Sequence, residues 1–139
     1  MGDVTIEAGT GTALNETLEA LLNSHAEDAG LPFVVDNFYW KATESSGDVI
    51  GGLSAKTMLG WLYVELLALA PNARGSGVGA KLLERAEAHA RDLGLAGVYL
   101  DTYEFQAPGF YAKCGYTEIG RLPAADGAPQ RIWYAKPLA

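Results

Sequence analysis

Two stretches of this 139-residue chain carry residue types and spacings that can do chemistry. The first is Arg74-Gly75-Ser76-Gly77-Val78-Gly79-Ala80, with three glycines at alternate positions. Glycine has no Cβ, so consecutive N–H groups there can turn toward one point. A helix beginning at that point adds unpaired N–H groups and the positive end of its dipole. The combination suits a phosphate or pyrophosphate, and Arg74 can add a charge-assisted contact. The second stretch is Trp61 to Ala70, an apolar run in which Glu65 is the only residue charged at neutral pH. A carboxylate in an apolar strand needs a partner or a role. It could take a proton from an ammonium group through water, attract a cationic substrate, or serve as a structural acceptor. Strand alternation is expected to put Trp61, Tyr63, Glu65 and Leu67 on one face.

Three ligand classes compete for the glycine turn. A Walker loop needs Gly-Lys-Ser/Thr at its end, and Ala80-Lys81-Leu82 supplies neither the glycine nor the hydroxyl. Gly75-x-Gly77-x-x-Ala80 fits a dinucleotide fingerprint, and Asp101 ends the next strand. That fold, however, starts from a parallel βαβ unit, and too little chain follows Asp101 to complete a doubly wound sheet. A tight strand-to-helix connection without a ligand is the plain alternative. Other chemistry finds little support. His25 and His89 are isolated, Cys114 is the single cysteine, and no metal site is expected. Cys114 has no evident activating base.

The elements that must position these residues follow from periodicity. Val4–Glu7 reads as a short first strand. Leu14, Leu18, Leu21 and Leu22 mark a helix, and a second short helix runs to Ala29 before Gly30 and Pro32. Residues 37–43, 49–58 and 61–70 read as an antiparallel meander, with Gly51-Gly52 as a candidate bulge. A helix over 77–92 presents Val78, Leu82, Leu83, Ala86, Ala90 and Leu93, and Gly94 stops it. Residues 98–102 follow this crossover and should lie parallel to the long apolar strand. A short helix over 107–113 ends at Gly115, and residues 116–122 and 131–135 close the sheet. The order βααβββαβαββ is that of one α/β domain over residues 1–139, with a mixed, mostly antiparallel sheet and helices on both faces.

Composition narrows the partners. A formal charge of −7 argues against nucleic acid and is compatible with a cationic amine. No apolar run reaches the roughly 18–20 residues of a membrane span, and the N-terminus does not read as a secretory signal. The chain is therefore expected to be soluble and cytoplasmic. Trp40, Trp61 and Trp133 could line an amine pocket, with core packing as the alternative.

In this context the sequence resembles the GNAT (Gcn5-related N-acetyltransferase) superfamily. Arg74-Gly75-Ser76-Gly77-Val78-Gly79 matches its Arg/Gln-x-x-Gly-x-Gly/Ala signature, and Glu65 to Pro71 looks like the family's fourth strand. Gly109 to Tyr116 resembles its second signature, a Tyr four residues before a Gly-aromatic pair. Phe105-Gln106-Ala107-Pro108-Gly109-Phe110-Tyr111 looks like a block found in a bacterial subgroup. One departure stands upstream: many members carry Asn seven residues before the Tyr, where this chain has Glu104.

The resemblance implies acetyl-CoA as cosubstrate, with no metal. It implies that the pyrophosphate rests on Gly75, Ser76, Gly77, Val78, Gly79 and Ala80 beside Arg74. The pantetheine arm would bond to the backbone of Leu67 and Leu69, where two strands splay. Tyr111 corresponds to the family's thiolate-protonating tyrosine, and Glu65 is the candidate base. The Leu67 amide would steady the oxyanion. The implied reaction is direct acetyl transfer in a ternary complex to a primary amine of a small molecule or peptide. A non-catalytic acyl-CoA sensor is the alternative. A homodimer is common in the family. The acceptor itself has no readable code in the N-terminal helices or in the loop over 124–129.

Overall fold

A computed structural model describes residues 2–138. Two compact units are distinguished, divided after Val34. The first contains one helix, α1 (Thr12–Asp28). Two separate helices were expected there, but no glycine or proline between Leu22 and Asp28 breaks the turn, and one helix runs through. The helix ends where Gly30 takes φ +74° and Leu31 N–H donates to the Ala26 carbonyl at 2.9 Å. That is the glycine stop expected for a Schellman motif. Val4–Glu7 is not a strand: it joins no ladder, so the expected seventh strand is absent among the described residues.

The second unit is a six-stranded mixed sheet with helices. In chain order it contains β1 (Asn37–Thr43), β2 (Val49–Met58), β3 (Trp61–Leu69), a 3-10 turn (Pro71–Ala73) and α2 (Val78–Asp92). These are followed by β4 (Gly97–Tyr103), α3 (Pro108–Lys113), β5 (Thr117–Arg121) and β6 (Arg131–Pro137). The strand order is β1-β2-β3-β4-β6-β5. Every pair is antiparallel except β3 with β4, which the α2 crossover makes parallel. The meander and the parallel step therefore agree with the sequence pattern.

One face of the sheet carries the core. Leu62, Leu83, Val98 and Leu100 are its largest fully buried side chains. Leu82, Ala86 and Ala90 bring α2 to this face, and Phe110 and Tyr111 of α3 pack against the same cluster. Gly94 at φ +71° ends α2, with Leu95 N–H donating to the Ala90 carbonyl at 2.9 Å. Leu93, expected on the apolar face, is instead the exposed cap residue.

The other face is aromatic and polar. Tyr63 stacks on Tyr99 at 4.9 Å between centroids, and Trp61 meets Tyr99 edge-on at 6.2 Å. The guanidinium of Arg131 lies 5.2 Å from the centre of the Trp133 ring. Trp61 and Trp133 are thus half-buried on this face, while Trp40 packs toward the core with Phe38 and His89.

Candidate active site

A bulge in β3 sets the site. Ala55 pairs with Val64 and Ser54 with Leu66, so Glu65 has no opposite residue in β2. An extra residue bends the strand and reverses the alternation after it. Leu62 and Val64 face the core before the bulge; Leu67 and Leu69 face it afterwards. The expectation that Glu65 and Leu67 share a face is therefore corrected. Glu65 stays with Tyr63 on the aromatic face, where Lys56 lies 3.7 Å from its carboxylate and 5.9 Å from the Tyr63 ring centre.

The same bend opens the sheet. Parallel pairing of β3 with β4 covers only Leu62–Val98, Tyr63–Tyr99 and Val64–Leu100. Beyond it β4 continues with β6 alone, and β3 continues with β2 alone. Ala70 N–H donates to the Ile50 carbonyl of β2 at 2.8 Å. Backbone groups alternate in direction along an antiparallel strand. Ala68 and Ala70 therefore face β2, and the N–H and C=O groups of Leu67 and Leu69 face the gap that β4 has left. These groups form a short, unpaired strand edge inside the fold.

The gap runs toward the glycine turn. After the 3-10 turn, Gly75 and Gly77 take φ +74° and +86°, which other residues adopt only with strain. Ser76 folds its hydroxyl back onto the Ala73 carbonyl. The first helical bond of α2 is Lys81 N–H to the Gly77 carbonyl at 3.1 Å, and no side chain caps the helix. The N–H groups of Val78, Gly79 and Ala80 thus have no acceptor within the helix. Arg74 is exposed and makes no ion pair among the described residues. The turn thus presents open backbone N–H groups at a helix start.

Gly79 brings α3 to the same place. A Cβ there would stand 3.1 Å from Cζ of Phe110 and 3.5 Å from Cδ1 of Leu69. Tyr111 follows Phe110, with ring centroids 5.2 Å apart, and also contacts Tyr116 and Tyr134 at 6.2 and 5.9 Å. Burial first, and then the neighbouring Cys114 and Asp101, push its phenol up to about 12. Tyr111 is therefore a neutral donor at physiological pH, and its hydroxyl makes no hydrogen bond among the described residues.

Asp101 is the first β4 residue past the parallel ladder, and it is already satisfied. It accepts from Tyr63 Oη at 2.5 Å and from Arg131 Nε at 2.8 Å. Burial, then the bond to Asp101, pushes Tyr63 up to about 12. The sequence alone does not reveal these partners of Asp101. Arg131 lies 30 positions away, and only the β4–β6 pairing unites them. Gln106 was also missed as an organiser. Its Oε1 accepts from Thr102 Oγ1 at 2.8 Å and from Tyr103 N–H at 2.9 Å, tying the turn before α3 to β4. Glu104 anchors the turn only through its N–H, which donates to the Gln130 carbonyl at 2.9 Å. Cys114 is not activated: burial, then Glu87, raises its thiol above the ordinary range. The described residues contain no cluster of three or more His, Cys, Asp or Glu able to hold a metal.

A split strand pair, an uncapped helix start beyond two left-handed glycines and a neutral phenol are thus brought together in one α/β unit. The chain belongs to the GNAT acetyltransferase family, whose model matches residues 9–116. It is 44% identical over 78 residues to a blasticidin-S acetyltransferase of Streptomyces morookaense, covering 55% of this chain and 57% of the relative. To an acetyltransferase of Agrobacterium fabrum it is 41% identical over 88 residues, covering 63% and 64%. The matches thus span somewhat less than two thirds of either relative. The fold matches that of a solved acetyltransferase from Bacillus cereus at a TM-score of 0.85 and 23% identity, over 97% and 98% of the two chains. No helix among the described residues is long and apolar enough to cross a membrane.

Proposed function

We propose that this chain transfers an acetyl group from acetyl-CoA to a primary amine of a small molecule or peptide, by direct attack in a ternary complex. The observation that carries this reading is the unpaired edge of β3. The backbone groups of Leu67 and Leu69 face an opening that ends at the anion cradle. A pantetheine arm can complete that edge as an added strand, bonding to backbone irrespective of side chain. Its pyrophosphate then lies on the N–H groups of Gly75, Ser76, Gly77, Val78, Gly79 and Ala80, with Arg74 as a charged flank.

Acetyl transfer needs a neutral amine, a stabilised oxyanion and a leaving thiolate that gains a proton. In this reading the Leu67 amide donates to the oxyanion. Tyr111 donates to the sulfur. Burial raises the Tyr111 phenol to about 12, above an alkyl thiol, so full proton transfer to the thiolate is uphill. Tyr111 therefore acts chiefly as a hydrogen-bond donor to the developing thiolate, with solvent completing the protonation. Glu65 stands at the mouth of the split, 39% exposed and weakly paired. It is suited to take a proton from the incoming ammonium through water, or to attract it.

An acceptor with cationic character fits the charge of −7. The relative from Streptomyces morookaense is named for blasticidin-S, which supports a small-molecule amine as the first acceptor class to test. Residues 1–139 act in this reading as one catalytic domain in the cytoplasm. Membership of the Phe-Gln-Ala-Pro subgroup is part of this reading and rests on the residues Phe105 to Tyr111 themselves. Isothermal titration with acetyl-CoA, followed by a free-thiol assay across amines, tests the proposal. Submillimolar binding with amine-dependent thiol release is expected. No heat would overturn it, and binding without turnover for any amine would leave an acyl-CoA sensor.

A further inference from the structure

The helix that carries Tyr111 has only six residues, Pro108–Lys113, and none of them is fully buried. A helix this short does not hold itself in water, so its place must be set by contacts at its ends. The C-terminal end is fastened by a buried polar network that the acetyl-transfer reading leaves unused. Lys136 of β6 donates from Nζ to the Cys114 carbonyl, the cap of α3, at 3.0 Å, and to Glu87 Oε1 at 2.9 Å. Glu87, on the apolar side of α2, is 5% exposed at its side chain. Its second oxygen accepts from Tyr116 Oη at 2.9 Å.

Tyr116 completes the connection. Gly115 takes φ +91°, its N–H donates to the Ala112 carbonyl at 3.1 Å, and Tyr116 N–H donates to the Tyr111 carbonyl at 3.0 Å. This is a Schellman ending, in which the residue after the glycine packs on the residue whose carbonyl it caps. Here that packed pair is Tyr116 on Tyr111. Lys136 spans the glycine, its Nζ 3.5 Å from where a Cβ at 115 would stand, and lies 5.6 Å from the Tyr116 ring centre. A cation at a helix C-terminus is also favoured by the dipole.

We propose that Lys136, oriented by Glu87, is a positioning residue for Tyr111: the pair fastens the end of α3 and so sets where the Tyr111 hydroxyl stands. The proposal rests on the reading of Tyr111 as the donor to sulfur. Removing Lys136 alone strands a buried carboxylate, which can unfold the protein. The variant to use is therefore the neutral pair Glu87→Gln with Lys136→Met, in which the new side-chain amide keeps an acceptor for Tyr116.

Two measurements decide it, on the full chain. Hydrogen exchange reads the helix end: the amides of Cys114, Gly115 and Tyr116 should exchange about tenfold faster in the double variant, with the β4–β6 amides unchanged. Thiol release from acetyl-CoA with spermidine as the amine reads the consequence. Turnover should fall roughly 10- to 100-fold with KM for acetyl-CoA within about threefold. In a Tyr111→Phe background the same pair should cost less than about twofold, because it acts through the missing hydroxyl. Lys136→Arg should recover most of the rate. Unchanged exchange, or an equal loss in both backgrounds, would overturn the proposal. Failure of the wild type to release thiol counts against the transferase reading alone, because exchange still decides whether the network fastens α3.

Discussion

Alanine at Gly77 separates strain in the turn from loss of the cofactor cradle. Gly77 takes φ +86°, and a Cβ there would meet nothing within 4 Å. The penalty is therefore purely conformational, about 1–2 kcal/mol for an L-residue in the left-handed region. For a domain of this size that lowers Tm by roughly 3–8 °C. If the turn instead relaxes to escape the strain, the N–H groups of Val78, Gly79 and Ala80 no longer converge. Hydrogen bonds to a charged partner contribute about 1.5–3 kcal/mol each. Losing one or two of them weakens acetyl-CoA binding by roughly 10- to 10⁴-fold. Gly47, in the β1–β2 turn, supplies the control. It takes φ +94°, with open space around the missing Cβ. Gly47→Ala should lower Tm by a similar amount and leave the Kd for acetyl-CoA within about threefold. Calorimetric titration and thermal melts of both variants make the comparison. Equal effects of the two variants on binding, or a Gly77→Ala variant that escapes the Tm loss and still keeps its Kd, would refute the assignment of the turn as the phosphate cradle.

Three further outcomes follow from the same geometry. Tyr111→Phe should lower kcat by about 10²- to 10³-fold and leave acetyl-CoA affinity unchanged, read by thiol release and titration. Stability should change little from pH 7 to about 8, decline slightly as the Cys114 thiol titrates, and fall more steeply between about 10 and 12. Burial raises Tyr111 to about 12 in the folded state, so above the unfolded value near 10 the unfolded chain loses its proton first. Tyr111 alone accounts for about 2–3 kcal/mol of that loss. Tyr111→Phe should therefore reduce the alkaline loss by that amount, with the raised Tyr63 keeping part of the rest. Finally, His89 Nε2 is buried without a hydrogen-bond partner among the described residues, its ring meeting Phe38 and Trp40 edge-on at 4.3 and 5.4 Å between centroids. His89→Phe removes that desolvated nitrogen and should raise stability by about 1 kcal/mol in a denaturant titration.

Local pattern carried much of the fold. The alternate glycines of the turn, the glycine stops at Gly94 and Gly115 and the apolar run of β3 are properties of adjacent residues. They sufficed to draw the meander, the crossover and the parallel step. The bulge at Glu65 was not legible, because a bulge is a mismatch between two strands and Ser54 and Ala55 lie on the other one. Strict alternation therefore put Leu67 on the wrong face. The Asp101–Tyr63–Arg131 and Glu87–Tyr116–Lys136 groups were hidden for the same reason: their members come from different strands and helices. Val4–Glu7 has the composition of a strand, yet local propensity alone does not supply a pairing partner.

The claim that acetyl-CoA completes the edge of β3 is tested most directly by amide hydrogen exchange with and without the cofactor. Leu67 and Leu69, whose N–H groups face the gap, and Val78, Gly79 and Ala80 at the start of α2 should all exchange more slowly with acetyl-CoA bound. Ala68, which faces β2, should change little. Protection elsewhere with none at Leu67 and Leu69 would contradict the account.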